Sequence, residues 1–316
     1  MRIAVVGVGS IGGVILGALA DTNAELVAVS RGDSAISLRL GLTVISPEGA
    51  MEMIPSERYW VVDTISESVP ASLIGSCDVS IICGKASDTP ILSSVCEDLL
   101  SPSGIAFSVQ NGLGHAETLG SRVGNSRVLG GSTTHSAWKD ADGAVNWSGR
   151  GSIDLGSFDG SRPSEIAEML IDTLEDACLN PRWSSEIQNV IWKKLLINVA
   201  INPVCAIAGV RNGAITEIPE LWNQSIGSMK EAEEVAINSG ATLAEGDCEE
   251  YLRKVVAATS ENRVSMLQDL MAGRKTEIDF LCGVVVERGR ALGIPTPRNE
   301  MLHALVKGIE VSQHIN

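Results

Sequence analysis

Lys194, Asn198 and Asn202 recur at four-residue spacing in a segment that is otherwise strongly apolar. On a helix, side chains at this spacing form one narrow stripe, here rising by about 12 Å, so one face would carry a cation and two amides. Such groups can stabilise a negative oxygen and donate a proton to it. The segment alone leaves a second interpretation open, in which Lys194 extends to solvent and Asn202 ends or kinks the helix before Pro203.

A glycine-rich motif follows the first predicted strand, which runs from Arg2 to Val6. The motif reads G-x-G-x-x-G and is followed by a helical pattern of apolar residues. It comprises Gly7, Val8, Gly9, Ser10, Ile11 and Gly12. Gly7 would permit the tight turn, Gly9 the approach of a pyrophosphate, and Gly12 close helix packing, with the phosphates at the helix N-terminus. We therefore predict a dinucleotide-binding turn.

The choice of cofactor depends on the residues after the second predicted strand, Glu25 to Val29. About 20 residues after the glycines, an NAD-binding fold usually has an acid for the ribose 2′-hydroxyl. Here Arg31 stands at that place, and a guanidinium suits the 2′-phosphate of NADP. We therefore predict NADP. Two alternatives stay open: Asp33 binds the hydroxyl of NAD, or Arg31 is a solvated turn residue.

Strands and helices alternate through the first half of the chain. Residues 77–83 and 104–109 read as buried strands, with a helix from about Pro90 to Leu100 between them. This alternation predicts an α/β fold with a Rossmann-type, doubly wound parallel sheet. Lys85 and Asn111 follow the two strands, at the edge where such sheets bind ligands, although each could also be an ordinary loop residue. Residues 127–158 then read as Gly-, Ser- and Thr-rich β segments.

After Pro181 the sequence changes to long amphipathic helices. We predict two domains: residues 1–181 form a dinucleotide-binding Rossmann domain and residues 182–316 an all-helical domain. A length of 316 residues with 44% hydrophobic content fits two such cores. In the helical half, Ser260 reads as the start of a helix that breaks at Gly273. Thr276 reads as the cap of the next helix, with Glu277 in its first turn.

Composition and charge exclude several functions. A formal net charge of −15 would repel nucleic acid and anionic membranes. The longest apolar stretch, residues 195–210, is interrupted by two asparagines and a proline, so we expect no membrane span. We see no signal peptide, and the seven scattered cysteines without a C-x-x-C motif fit a reducing cytoplasm. The four histidines show no metal-ligand spacing, so we expect no metal site.

Six blocks in the same order resemble ketopantoate reductases (2-dehydropantoate 2-reductases) over nearly the whole chain. They are the glycine motif, Lys85, residues 110–114 (QNGLG), residues 131–135 (GSTTH), the stripe ending at Pro203, and residues 265–269 (SMLQD) with 276–279 (TEID). The resemblance implies a Rossmann domain, a helical C-terminal domain that binds substrate, and an active site in the cleft between them. It also implies NADPH-dependent reduction of 2-dehydropantoate to (R)-pantoate, on the route to pantothenate and coenzyme A.

Position by position, the resemblance implies roles for individual residues. Lys194 falls on the catalytic lysine and Glu277 on the catalytic-site glutamate. Substrate contacts fall on Asn198, Asn202, Asn262 and Ser265, and further cofactor contacts on Arg31, Lys85, Asn111 and Ala137. One departure is Val264, which precedes Ser265 where the family's pattern has a second small hydroxyl residue. The identity of the substrate's side chain and the oligomeric state stay open, and a homodimer is one option.

These roles agree with the chemistry. Hydride transfer to C2 of a 2-oxo acid leaves an alkoxide, which needs a cation and a proton, and the ammonium of Lys194 would supply both. Alternative acids are His135, whose ordinary pKa is near neutrality, and Lys193, about 100° away from the stripe. Two other functions stay open: reduction of another branched 2-oxo acid, and nucleotide sensing without turnover. The retained lysine and glutamate favour an enzyme.

Overall fold

A computed structural model describes residues 1–65, 68–243 and 247–312. The chain divides into two units, each with its own hydrophobic core. The first unit comprises Met1–Gln110 and His115–Ile187, and the second comprises Asn111–Gly114 and the chain from Gln188 onward. The predicted division after residue 181 falls within a short strand of the first unit, Pro181–Trp183.

The described strands lie between residues 2 and 183, and helices occur throughout the chain. The strands are β1 Arg2–Val6, β2 Glu25–Ser30, β3 Leu42–Ile45, β4 Met51–Ile54, β5 Tyr59–Asp63, β6 Cys77–Ile82, β7 Leu100–Ser108, β8 Val128–Thr133, β9 Ser136–Lys139, β10 Val145–Gly149, β11 Ile153–Gly156 and β12 Pro181–Trp183. The helices are α1 Ser10–Ala20, α2 Asp33–Leu38, α3 Thr89–Leu99, α4 His115–Val123, α5 Glu165–Asp176, α6 Ile187–Ala208, α7 Ala214–Glu217, α8 Pro219–Asn238, α9 Asp247–Ala258, α10 Ser265–Met271, α11 Cys282–Leu292 and α12 Pro297–Ser312.

The main sheet of the first unit has the strand order β12-β11-β8-β7-β6-β1-β2-β5. Strands β5, β2, β1, β6, β7 and β8 pair in parallel, in the 3-2-1-4-5-6 order of a Rossmann fold. Strand β11 pairs antiparallel with β8, and β12 parallel with β11. The predicted doubly wound parallel sheet is thus confirmed.

Alternate residues of the central strand β1 face two different hydrophobic clusters, one on each side of the main sheet. Ile3 and Val5 pack in the cluster that contains α1 and α5, whereas Ala4 and Val6 pack in the cluster that contains α3 and α4. A parallel strand covered on both faces is apolar at every such position rather than at every second one. This burial on two sides explains why β1 reads as a continuous apolar run in the sequence.

A second sheet, of strand order β4-β3-β10-β9, packs against α1. The helix presents glycine to it: an added Cβ on Gly13 would lie 2.6 Å from Cγ2 of Val145, and one on Gly17 would lie 2.8 Å from Cγ2 of Val44. Both distances are too short for a real side chain, so glycine permits the close approach of this sheet. The predicted β segments of residues 127–158 are confirmed, whereas β3 and β4 were not predicted.

Helix α6 is the central helix of the second unit. Its buried side chains include Trp192, Leu195, Leu196 and Val199. By length and composition alone α6 could cross a membrane, but 61% of its most apolar window is buried within the protein. Its apolar character is therefore accounted for by packing in the core of this unit.

Pro203 lies inside α6 rather than beyond its end. A proline has no N–H group, so the carbonyl of Val199, four residues earlier, loses its helical partner. Ser228 of α8 compensates in part, because its hydroxyl proton is shared between the carbonyl oxygens of Val199 at 3.3 Å and Ser225 at 3.0 Å. The helix continues to Ala208, and the alternative in which Asn202 ends it is wrong.

Two predicted helix starts in the second unit need correction. Helix α10 begins at Ser265 and not at Ser260. Residues 278–280 form a 3₁₀ turn, after which α11 begins at Cys282. The N-cap residue of this turn is Glu277 and not Thr276, although Oγ1 of Thr276 accepts a hydrogen bond from the N–H of Ile278 at 3.2 Å. Glu277 therefore lies in a turn and not in the first turn of an α-helix.

The packing of α1 against the small sheet generates a stability prediction. Gly13→Ala should lower the melting midpoint, because the new methyl overlaps the fully buried Val145 and overpacking of this kind costs about 1–3 kcal/mol. The matched control is Gly308→Ala in α12, where an added Cβ meets nothing within 4 Å. That change should stabilise by up to about 1 kcal/mol through helix propensity. A melting midpoint that shifts in the same direction in both variants would contradict this packing.

Candidate functional site

The glycine motif forms the turn between β1 and α1. A side chain at Gly7 would collide with the backbone of Gly84, and one at Gly12 would collide with the carbonyl of Gly7. Gly9 differs, because an added Cβ there would meet no protein atom within 4 Å. The backbone therefore borders open space at the N-terminus of α1, as a pyrophosphate cradle requires. The residues present fit a bound dinucleotide.

A lysine that the sequence analysis did not single out contacts this motif. The ammonium of Lys139 donates to the carbonyl oxygen of Val8 at 3.1 Å, and burial lowers the pKa of Lys139. Lys139 follows Ala137 by two residues on β9, so both face the same side of the strand. Ala137 and Ile11 are half-buried against the first unit's core. Ser10, the first residue of α1, is also half-buried. A cation thus stands beside the turn predicted to hold phosphates.

Arg31 follows β2 and extends largely into solvent. Its side chain is 61% exposed, and Nη1 lies 3.2 Å from Oδ1 of Asp88. The turn after it is fixed by Asp63, which accepts the N–H of Gly32 at 3.0 Å. Asp33 is the first residue of α2, where its charge is favourable to the helix dipole. The guanidinium is therefore presented at the edge of the sheet on a defined turn.

Lys85 and Asn111 follow β6 and β7, as predicted from the sequence. Gln110, the residue before Asn111, connects the two loops: its side-chain amide donates to the carbonyls of Gly84 at 2.9 Å and Lys85 at 3.0 Å. Its own oxygen accepts the hydroxyl of Ser108 at 2.9 Å. In the sequence, Gln110 stood out only as part of the QNGLG block. Its position directly after a buried strand was the available signal.

Asn111 and Glu277 are in direct contact in the second unit. The amide of Asn111 donates to Oε2 of Glu277 at 3.2 Å, although the two residues are 166 positions apart. The N–H of Leu113 donates to the carbonyl of Phe280 at 3.3 Å, which holds the two segments together. Gly112 lies against Phe280 with no room for a Cβ. The structure thus brings one predicted cofactor residue next to the predicted catalytic-site glutamate.

The polar stripe lies along α6 as predicted. Lys194, Asn198 and Asn202 are all half-buried on one side of a helix whose other sides are mostly buried in the core. Lys193 is exposed and lines a separate cavity of about 410 Å³, together with Tyr251 among others. The two neighbouring lysines thus have different surroundings, and only Lys194 is aligned with the two amides.

Asn262 and Ser265 form a third group at the connection between α9 and α10. Both are exposed. The carbonyl of Asn262 accepts the N–H of Asn212 at 3.1 Å, and this bond holds the connection in place. Val264 occupies the N-cap position of α10 and is 6% exposed, so an apolar side chain packs where a hydroxyl residue could have capped the helix.

His135 has a structural role. Its Nδ1 accepts the N–H of Gly151 at 2.9 Å, and its Nε2 lies 3.0 Å from the carbonyl of Leu179. These partners require the neutral ring with a proton on Nε2, and burial lowers the pKa of His135. Because both nitrogens are engaged in holding β segments together, His135 is not placed as an acid for a bound substrate.

The sheet order and the glycine turn define a Rossmann-type dinucleotide-binding protein. Two family models match the chain: Ketopantoate reductase PanE/ApbA over residues 3–160, and Ketopantoate reductase PanE/ApbA C terminal over residues 186–310. The 2-dehydropantoate 2-reductase of Archaeoglobus fulgidus is 32% identical over 309 residues, which is 98% of each chain. That of Pyrococcus horikoshii is 31% identical over 312 residues, again 98% of each. The chain belongs to the ketopantoate reductase family.

Solved structures agree with this assignment. A PanE/ApbA family ketopantoate reductase from Ralstonia eutropha matches with a TM-score of 0.88 and 27% identity, over 99% of this chain and 100% of that one. The ternary structure of D-mandelate dehydrogenase with NADH and anilino(oxo)acetate gives a TM-score of 0.90 at 22% identity, over 99% and 100%, a likeness that shows the fold alone. Membership in the ketopantoate reductase family makes the protein an oxidoreductase and supports a nicotinamide cofactor.

The open space at Gly9 generates a binding prediction. Gly9→Ala should leave the melting midpoint nearly unchanged, because the new methyl meets no protein atom, yet it should weaken NADPH binding by about tenfold or more by entering the phosphate cradle. Gly12→Ala is the matched contrast and should destabilise the fold, because its methyl collides with Gly7. Fluorescence titration and thermal unfolding measure both effects. Wild-type NADPH affinity in Gly9→Ala would contradict this position for the pyrophosphate.

Proposed function

We propose that this enzyme reduces 2-dehydropantoate to (R)-pantoate with NADPH, and so serves pantothenate and coenzyme A biosynthesis. The observation that carries the proposal is the half-buried stripe of Lys194, Asn198 and Asn202 on the core helix α6. Removing polar groups from water costs free energy, so a cation and two amides aligned on such a helix favour a ligand-binding role. Membership in the ketopantoate reductase family supports the reaction.

Lys194 acts as the general acid in this proposal. The reduced nicotinamide, when bound, supplies the hydride that C2 of the keto acid accepts. The carbonyl oxygen then carries a negative charge, which the ammonium of Lys194 stabilises and neutralises by giving up one proton. The lysine regains a proton from water, so each turnover consumes one proton. Asn198 and Asn202, one and two turns further along α6, hold the carboxylate or hydroxyl of the substrate.

Glu277 and Asn111 act together in this proposal. The hydrogen bond from Asn111 directs Oε2 of Glu277, and the carboxylate can then accept the substrate's hydroxyl or orient Lys194. Asn262 and Ser265 provide further polar contacts to the substrate. On the cofactor side, we assign contacts to the glycine motif, Arg31, Lys85, Asn111 and Ala137.

The substrate is a small 2-oxo acid, and we place the enzyme in the cytoplasm. All seven cysteines are free thiols, which a reducing compartment preserves. Burial raises the pKa of Cys205 to about 12 and that of Cys96 also to about 12, so these thiols stay protonated and unreactive.

Substrate identity is tested by following NADPH oxidation with a panel of 2-oxo acids. The panel contains 2-dehydropantoate, other branched 2-oxo acids and an unbranched one. We expect the highest kcat/KM with 2-dehydropantoate and (R)-pantoate as its product. A higher kcat/KM with another branched acid would identify a different reductase of the same family, and Val264 would then be the first residue to replace. Binding of NADPH without turnover of any acid would indicate a nucleotide sensor.

Arg31 generates a prediction about cofactor preference. NADPH should be preferred to NADH by at least about tenfold in kcat/KM, because a charge-assisted phosphate contact contributes about 1.5–3 kcal/mol. The pair with Asp88 is exposed and can yield to the phosphate at little cost. Arg31→Ala should abolish the preference, whereas Asp33→Ala, the control in the same turn, should preserve it. Equal use of both cofactors by the unmodified enzyme would contradict NADP specificity and favour Asp33 as a ribose ligand.

Lys194 generates the prediction about catalysis. Lys194→Ala should lower kcat by roughly 10²–10⁴-fold, the range for loss of a general acid, with NADPH affinity nearly unchanged. Lys193→Ala is the matched control and should have little effect, because Lys193 is exposed and off the stripe. Stopped-flow or steady-state NADPH oxidation measures both. A folded Lys194→Ala enzyme with near-normal turnover would show that Lys194 is not the proton donor.

A further inference from the structure

Helix α12 carries a carboxylate that is almost completely removed from solvent. Glu310 is 6% exposed, although the residues on either side of it are half-buried or exposed. Its Oε1 accepts two hydrogen bonds of 2.7 Å, one from the backbone N–H of Thr276 and one from the hydroxyl of the same residue. A buried carboxylate is costly unless it is paired in this way. Glu310 is therefore hydrogen-bonded to Thr276, the residue that precedes Glu277.

The hydroxyl of Thr276 extends this connection beyond Glu277. Its hydrogen is donated to Glu310, and its oxygen accepts the N–H of Ile278 at 3.2 Å. One chain of hydrogen bonds that starts at Glu310 thus holds the peptide group before Thr276 and the peptide group between Glu277 and Ile278. Ile278 itself is fully buried in the core of the second unit. The backbone that directs the side chain of Glu277 has little freedom left.

A second set of contacts joins the same two segments. Lys307 of α12 lies 2.9 Å from Oδ2 of Asp279 and 3.3 Å from Oε2 of Glu310. Its hydrogen bond to Asp279 raises the pKa of Lys307, so the ammonium stays charged between two carboxylates. His303 contacts the other oxygen of Asp279 at 2.7 Å. The turn on the C-terminal side of Glu277 is therefore held by α12 as well.

The hydrogen bond between Asn111 and Glu277 is sensitive to the backbone conformation at Glu277. Glu277 precedes a 3₁₀ turn with φ −97° and ψ 22°, outside the regular helix that would otherwise fix its direction. The bond from Asn111 is 3.2 Å long, at the upper end of the usual range for N–H···O bonds of about 2.7–3.2 Å. A small rotation of the backbone at Glu277 would break it.

We propose that Glu310 is a positioning residue for the active site: through Thr276 it fixes the backbone on both sides of Glu277 and so sets the direction of that carboxylate. The inference rests on the role given to Glu277 in the proposed function. It concerns geometry alone, because Glu310 contacts Thr276 and Lys307 and acts on Glu277 through the backbone that these residues hold.

The test is a double-mutant cycle on kcat/KM for the 2-oxo acid that the enzyme reduces fastest. Glu310→Ala should lower kcat/KM by about tenfold, since small misplacements of catalytic groups have effects of this size, while the Kd of NADPH stays unchanged. In the Glu277→Gln background, Glu310→Ala should cause less than about a twofold further loss, because the residue through which it acts has already been replaced. Glu310→Gln should recover most activity, because its amide oxygen can still accept both bonds from Thr276.

Two further variants separate positioning from general stability. Glu300→Ala removes an exposed carboxylate of the same helix, paired with Arg290, and should leave kcat/KM unchanged. Thr276→Val keeps the volume of a residue that is 8% exposed but removes the hydroxyl that links Glu310 to Ile278. It should lower kcat/KM severalfold, and it provides the test if Glu310→Ala does not fold.

Three results would overturn the inference. Losses that simply multiply in the double mutant would show that Glu310 acts on stability or on another group. Unchanged kcat/KM in folded Thr276→Val would exclude the hydroxyl link. A Glu277→Gln enzyme with full activity would remove Glu277 from the mechanism and the positioning role with it, and only this last result would also count against the proposed function.

Discussion

Helix α1 must lie close to β structure on two sides, and the missing side chains of its glycines make this possible. Gly12 faces the carbonyl of Gly7 beside the main sheet, whereas Gly13 and Gly17 face valines of the small sheet. The turn at residues 7–12, the open space at Gly9 and the approach of Lys139 from β9 all depend on this double packing. The glycines of the first turn and of α1 therefore account both for core packing and for the fit to a dinucleotide.

Two polar groups next to the core of the second unit have partners on neighbouring helices. The hydroxyl of Ser228 in α8 contributes a shared hydrogen bond to the carbonyl that Pro203 leaves without its helical donor in α6. Glu310 of α12 accepts the N–H and the hydroxyl of Thr276. Unpaired polar groups at such positions would cost roughly 1–3 kcal/mol each. These hydrogen bonds therefore stabilise irregular backbone. The proposed catalytic carboxylate, Glu277, lies in one such irregular turn.

Local sequence patterns were sufficient to predict those elements whose defining residues lie close together in the sequence. Buried runs predicted the central parallel strands, four-residue spacing predicted the stripe from Lys194, and the glycine motif predicted the turn before α1. Strand β4 was missed because it has only four residues, and its apolar Met51 and Met53 stay exposed at the edge of the small sheet. A segment this short gives little periodicity from which to predict a strand. The early helix start at Ser260 failed because the connection is held by Asn212, far away in sequence.

The other features that could not be predicted are contacts between residues that are far apart in the sequence. Lys139 is 131 positions from Val8, and Glu310 is 34 positions from Thr276, so no local pattern links them. Hydride and proton transfer at the stripe remain the central claim, and its most direct measurement is a crystal structure of the unreactive complex with NADP⁺ and 2-dehydropantoate. We predict the C2 oxygen of the keto acid within about 3 Å of Nζ of Lys194. A C2 oxygen bound by another residue or by water, with Lys194 out of hydrogen-bonding reach, would contradict the account.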